Sequence, residues 1–215
     1  MSRMACVNIP SFSLQLLSHR EPQWLDHPVA VVTEEKPMGI ILEINKNAKE
    51  RGVQTGMRFS AALTLAPDLH AAAVSEHEIQ DGIGTVLKIL LDFSPEVEPF
   101  ELNPGIFWVN AVGFTRLYGD LESWAAQLQE TLDVQSFVSR MSIGFSRFGS
   151  FLAAKRAKHP IIFQTTEEEM KYARYTPLTL LPMSPKASHQ LKDLGIETVG
   201  AFIDLPSGGV KKRFS

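Results

Sequence analysis

The side chains in this chain best suited to chemistry are cations spaced for phosphate. Residues 140–159 hold Arg140, Arg147, Lys155, Arg156 and Lys158 with no Asp or Glu among them. Phosphates attract such a stretch whatever the base sequence; a solvated helix face is the competing explanation. Lys46 and Lys49 stand three apart in a short predicted helix and share a face. They either draw a phosphate or simply meet water. Ser184, Lys186 and Lys192 form a third group, followed by Lys211, Lys212 and Arg213. Carboxylates are not gathered in this way. Glu101 lies two residues before Asn103, on the same face if the segment is a strand. Mg²⁺ needs hard oxygens, and carboxylates supply the charge. One carboxylate alone would hold it weakly.

The whole chain does not share this bias. It has 215 residues and a formal net charge of −3, so a nucleic-acid grip over the whole surface is disfavoured and a local basic face is not. The length suits one large domain or two to three small ones. The one cysteine, Cys6, lies in an apolar run and reads as a buried thiol. It has no partner for an internal disulfide, which fits a reducing, cytoplasmic setting. No apolar run approaches the roughly 18 residues of a membrane span. No basic segment followed by an apolar core marks a signal peptide.

Short strands alternate with helices. Residues 3–9 predict a strand. Residues 29–33 and 39–44 predict two strands joined by a polar turn. Asn45 caps a helix over 45–51, with Gly52 just past its end. A second helix over 58–65 stops near Pro67. Ile79, Ile83, Val86 and Leu90 put one apolar face on a helix over 76–93. Residues 97–102 and 106–112 predict a hairpin around Asn103-Pro104-Gly105, which are turn residues. Asp120 caps a helix over 120–132, with Trp124, Leu128 and Leu132 on one side. A strand over 138–144, a helix over 148–158 and a strand over 161–164 follow. This succession is the ferredoxin-like α+β plan. Trp24, Phe59 and Trp108 belong to this core or to an interface.

Several segments, in order, resemble the Y-family (UmuC/DinB-type) translesion DNA polymerases. Met4–Leu16 resembles the family's first strand and Asp-x-Asp motif, with Val7, Ile9 and Phe12 kept. Pro28–Val32 resembles "GKPVAV". Gly39–Met57 resembles "G-V-V-x-x-x-S-Y-E-A-R-x-x-G-V-x-x-G-M". Ser94–Val109 resembles "S-P-x-V-E-x-x-S-x-D-E". Ser142-Ile143-Gly144 and Leu152–Lys155 resemble "S-I-G-I-A-x-N-K-x-L-A-K", and Leu181–Gly200 resembles the thumb's helix-hairpin-helix.

The resemblance implies a palm over 1–10 and 69–164, fingers over 11–68, and a small helical thumb over 165–215. The thumb is expected to be incomplete, with little-finger and C-terminal regions lying beyond the chain. Asn8, Pro10, Asn103 and Pro104 fall on the family's metal-binding acids. Ser13 falls on the aromatic that screens the sugar. Lys46 and Lys49 replace a Tyr and an Arg that touch the triphosphate. The losses resemble the ImuB-type subgroup, which implies no metal, no cofactor and no enzymatic activity. They imply instead a scaffold in a mutagenic translesion (SOS) assembly. Its partners would be a RecA-like accessory protein of ImuA type, an error-prone C-family polymerase, and the sliding clamp through regions beyond this chain. DNA binding is expected to be weak, sequence-independent and salt-sensitive, because the thumb hairpin lacks the family's glycines and Pro185 lacks an N–H. The protein would be cytoplasmic and nucleoid-associated when engaged. A low-efficiency polymerase and a lesion or primer-end recognition module are the alternatives.

Overall fold

The computed structural model describes residues 3–113, 118–181 and 183–205. It divides into two compact units: Met1–Asn8, Trp108–Gln127 and Arg140–Ser215 in one, Ile9–Phe107 and Leu128–Ser139 in the other.

A five-stranded sheet has the order β5-β6-β1-β7-β8. These strands are β1 (Met4–Asn8), β5 (Val97–Pro99), β6 (Ile106–Asn110), β7 (Arg140–Gly144) and β8 (Ile161–Ile162). β1 and β7 are antiparallel, with Met4 opposite Gly144 and Asn8 opposite Arg140; β7 and β8 are parallel. Ala5, Cys6 and Val7 are all fully buried, so β1 is covered on both faces and reads as an unbroken apolar run. Helix α6 (Arg147–Arg156) packs on β1 and β7. Every residue from Gly149 to Ala154 in it is buried. Its small side chains allow that close approach, and Ser150 Oγ donates to the Met4 carbonyl at 3.1 Å. Helix α7 (Thr166–Arg174) packs on α6. Helices α8 (Pro185–Asp193) and α9 (Val199–Ile203) follow, with Gly195 between them at φ 70°.

The other unit holds a three-stranded sheet, β3-β2-β4, made of β2 (Val29–Val32), β3 (Ile41–Ile44) and β4 (His70–Ala72). Alternation along β2 builds two cores. Ala30 and Val32 join Ile41, Ala48, Val53, Ala62 and Ala66, beneath α2 (Lys46–Glu50) and α3 (Phe59–Leu65). Val29 and Val31 join Leu14 and Leu17 of α1 (Phe12–Arg20). Asn45 Oδ1 accepts from Ala48 N at 2.9 Å and Val29 N at 3.0 Å, so the predicted cap also ties α2 to β2. Gly52 has φ 89° just past that helix. Helix α4 (Glu76–Leu91) starts on a capping box of Ser75 and Glu78 and buries Val86 and Leu90. Helix α5 (Leu121–Val134) buries Trp124, Leu128 and Leu132, and Asp120 Oδ1 accepts from Ser123 N at 2.7 Å.

The elements differ from expectation in several places. The expected strand over 161–164 is only Ile161–Ile162, and the arm expected to reach 102 ends at Pro99. Strand β4 and helix α7 were not expected from the residues. The β4 sequence, His-Ala-Ala, has no β-branched residue and is held by its parallel pairing with β2. Trp108 is buried, and Trp24 and Phe59, both half-buried, pack against the two small cores.

Candidate functional site

The corner where β1 becomes α1 carries the first two of the positions expected to lack metal ligands. Asn8 ends β1 and is 3% exposed. After Pro10 the chain passes through Ser11 at φ 49°, and α1 begins. Gln15 Nε2 donates to the Pro10 carbonyl at 2.7 Å. Ile9 N donates to the Gly105 carbonyl at 2.7 Å. Gly105 has φ 89°, and a Cβ there would lie 2.5 Å from the Ile9 carbonyl oxygen, so the turn carrying Asn103 and Pro104 is pressed against this corner. Asn103 N donates to Phe100 O at 3.0 Å, and Ile106 N to Asn103 O at 3.2 Å. Asn103 thus serves a turn. Glu101 lies in the same turn and is exposed, so the strand alternation that put it on one face with Asn103 does not apply.

These residues do not fit a pair of Mg²⁺ ions. Asn8 and Asn103 offer neutral amide oxygens, and Pro10 and Pro104 offer no side-chain donor, where hard, charged oxygens are needed. Among the described residues no group of three or more His, Cys, Asp and Glu side chains is arranged to hold a metal ion.

Ser13 is half-buried in the first turn of α1. Lys46 and Lys49 are exposed on α2, and Lys46 Nζ lies 3.6 Å from Glu50 Oε1. The acid nearest the start of α1 comes from elsewhere: Glu43 of β3 accepts from Leu14 N at 2.8 Å. Burial pushes its carboxyl above the usual carboxylate range, and the Leu14 amide opposes that shift.

Three cations of the 140–159 stretch lie over aromatic rings. The Arg147 guanidinium lies 5.5 Å from the Trp108 ring centre, and that of Arg156 5.3 Å from Tyr172. Lys155 Nζ lies 5.4 Å from the Phe151 ring centre. Burial holds the Lys155 ammonium below its ordinary pKa; buried Cys6 opposes this, and Arg140 adds to it. Burial likewise pushes the Cys6 thiol far up, so it is inert. Arg140 donates to the Lys155 carbonyl at 3.0 Å, and Lys158 is exposed. Ser184 Oγ accepts from Ala187 N at 3.2 Å, which makes it the cap of α8; Lys186 and Lys192 are exposed on that helix. Lys211, Lys212 and Arg213 lie outside the described residues.

A second acid that the sequence did not single out organises the start of α6. Glu169 of α7 is 4% exposed. Its carboxylate accepts from Phe145 N at 3.0 Å, Ser146 N at 3.1 Å and Ser146 Oγ at 3.0 Å. Gly144 and Gly149 leave room for it, since a Cβ on either would lie 2.5 Å or less from Glu169 Oε1. Two glycines flanking a Ser cap in Gly144–Gly149 were the available hint; the acid that fills the space was not legible.

Residues 7–158 match the impB/mucB/samB family. Over 214 residues the chain is 24% identical to DNA polymerase IV of Dehalococcoides mccartyi strain CBDB1, covering 98% of this chain and 54% of that protein. It is 27% identical over 212 residues to DNA polymerase IV of Moorella thermoacetica, covering 95% and 52%. The chain thus spans about half the length of the curated relatives it matches. Among solved structures, an insertion ternary complex of Dbh DNA polymerase shares the fold, with TM-score 0.78 and 15% identity over 98% of this chain and 62% of that one. DinB from Sulfolobus solfataricus matches with TM-score 0.76, also at 15% identity and with the same coverage. These findings overturn the expectation that the chain is not an enzyme. Relatives along nearly its whole length are named DNA polymerase IV. With its α+β architecture of Y-family palm and fingers type, this chain belongs to the impB/mucB/samB family.

Proposed function

We propose that this chain is the core of a Y-family translesion DNA polymerase that engages primed DNA and extends it with low efficiency. Family membership over residues 7–158 carries this reading. The low efficiency follows from the neutral donors at Asn8 and Asn103 and the prolines at 10 and 104. The palm comprises 1–10 and 69–164, the fingers 11–68, and the thumb 165–215 with α8 and α9 as its helix-hairpin-helix. Lys158, Lys186 and Lys192, exposed and basic, contribute weak and salt-sensitive phosphate contacts. The setting is the cytoplasm, at the nucleoid.

Primer extension with protein in excess over primed DNA, in Mg²⁺ and in Mn²⁺, tests this. Slow incorporation above a protein-free blank is expected. No incorporation in either metal would overturn the reading.

The substituted acid positions favour a second role beside turnover: an ImuB-type scaffold in a mutagenic repair assembly. The partners are a RecA-like accessory protein of ImuA type, a C-family polymerase and the sliding clamp. Co-purification of the chain with each purified partner checks it, and retention of none of them would remove this role.

A further inference from the structure

We propose that His27 and His70 form a two-imidazole site for a late first-row transition ion, Zn²⁺, Ni²⁺ or Cu²⁺, that ties the loop entering β2 to the start of β4. The proposal goes beyond the polymerase reading and does not depend on it.

The backbone brings the two residues together. Strands β2 and β4 run parallel with Val29 opposite His70, so the residues just before β2 lie beside the start of β4. His70 N donates to the Pro28 carbonyl at 2.9 Å. Asn45 Nδ2 donates to the His27 carbonyl at 2.7 Å, and Asn47 Nδ2 to the Asp26 carbonyl at 3.1 Å. Both chain segments are thus fixed before any ligand arrives. The imidazole rings meet with centres 4.9 Å apart and planes at 74°. The Trp24 ring stacks on His70 at 4.9 Å and 23°, and Trp24 itself packs against the core of Leu14, Leu17, Val29 and Val31. His70 is half-buried and His27 exposed. One imidazole is therefore held, and the other is free to turn a nitrogen toward an ion, since the terminal torsion of histidine is broad.

The separation fits a shared ion. A histidine nitrogen binds Zn²⁺ at about 2.0–2.1 Å; adding roughly 1.2 Å from nitrogen to ring centre puts two centres on one ion about 4.5 Å apart at a right angle and about 5.2 Å apart at the tetrahedral angle. The observed 4.9 Å lies between these limits. The ring nitrogens are also uncommitted. His19 bonds the Ser136 carbonyl, His77 pairs with Asp81 and His189 with Asp193. Among the described residues, the rings of His27 and His70 have no hydrogen-bond or ion-pair partner. Imidazole suits Zn²⁺, Ni²⁺ and Cu²⁺, whereas Mg²⁺ prefers oxygen. Two imidazoles supply half of a four-coordinate shell and water the rest. That count agrees with the lack of any group of three His, Cys, Asp or Glu ligands among the described residues.

Trp24 supplies the reporter, because Cu²⁺ on His70 would quench the indole stacked on that ring. The full chain is titrated with Cu²⁺, followed by tryptophan fluorescence, and with Zn²⁺, followed by calorimetry. The parent should saturate with one ion at this site. Loss of an outer-shell partner alone costs about 10–100-fold in metal affinity, so His27→Ala and His70→Ala should each weaken binding at least about tenfold. Trp24→Phe should keep the calorimetric affinity and lose most of the quench. His77→Ala, which removes a histidine from exposed α4, should match the parent. His27 is exposed, so His27→Ala decides the matter should His70→Ala disturb the packing of Trp24. No saturable binding by the parent would overturn the proposal, and so would equal affinity of His27→Ala and parent. An equal loss in His77→Ala, or an undiminished quench in Trp24→Phe, would place the ion elsewhere and overturn it too.

Discussion

Helices α1 and α6 both begin against a carboxylate from a distant part of the chain, yet the two junctions are built differently. At α6, Glu169 is almost fully buried, accepts three hydrogen bonds, and fills a space that Gly144 and Gly149 leave open. Ser146 also caps the helix, accepting from Gly149 N at 3.0 Å. At α1, Glu43 is half-buried and accepts one bond from Leu14, and Ser11 provides no cap. A buried acid whose lone pairs are satisfied behaves as a structural part, because removing it leaves donors unpaired. An acid held by one amide in an apolar wall is held loosely. The difference separates a junction held at several points from one held at a single point.

The largest effect should come from breaking the fixed junction. Glu169→Ala strips the acceptor from the Phe145 and Ser146 amides and leaves a void against two glycines. It should cost about 3 kcal/mol, given about 1.5–3 kcal/mol for hydrogen bonds to charged groups. Urea unfolding measures this; a loss below about 1 kcal/mol would mean that water replaces the carboxylate freely. Gly149→Ala comes next. Its Cβ would lie 2.3 Å from Glu169 Oε1, and that oxygen is held in place by hydrogen bonds. Overpacking of this kind costs about 1–3 kcal/mol. In the double variant the two losses should fall short of their sum, since the alanine then fills space the acid has left. Simple additivity would show that the glycine has another role.

Much of the frame was legible because it rests on local chemistry. Asn45 as a cap, Gly52 past the helix end, and the apolar spacing of Trp124, Leu128 and Leu132 each depend on neighbours within a turn or two. The pattern of Asn8, Pro10, Asn103 and Pro104 was read through the family resemblance alone. What packs the corner was not legible, because the bond from Ile9 N to Gly105 O joins residues far apart in the chain. The same holds for the two acids. Leu14 and Glu43 are 29 residues apart, and Ser146 and Glu169 are 23 apart. In the sequence Glu169 is one of three consecutive acids, and only α7 packing on α6 selects it from Glu167 and Glu168. Strand β4 was illegible for a related reason: its residues have little strand preference, and pairing with β2 holds them.

Ser146→Ala should have a smaller effect than either change above, about 1 kcal/mol, the usual cost of losing a helix cap. It removes one donor to Glu169 and the acceptor for Gly149 N while leaving the carboxylate in place. The same urea series checks it. A loss as large as that of Glu169→Ala would mean that the hydroxyl, not the acid, holds the junction.

The smallest effect belongs to the loose junction, and its sign distinguishes it from an ordinary surface acid. Burial raises the Glu43 carboxyl, so the folded protein holds a proton there more tightly than the unfolded chain does. Stability from this group is therefore greatest below the ordinary glutamate pKa of about 4.3 and falls as pH rises through the folded value above it. Glu43→Gln cannot titrate, and its stability difference from the parent should shift in its favour as pH rises across that window. Matched urea curves at several pH values measure the difference. A pH-independent difference would show that the carboxylate is already well compensated at α1, in which case this junction resembles the one at α6 and the contrast between them disappears.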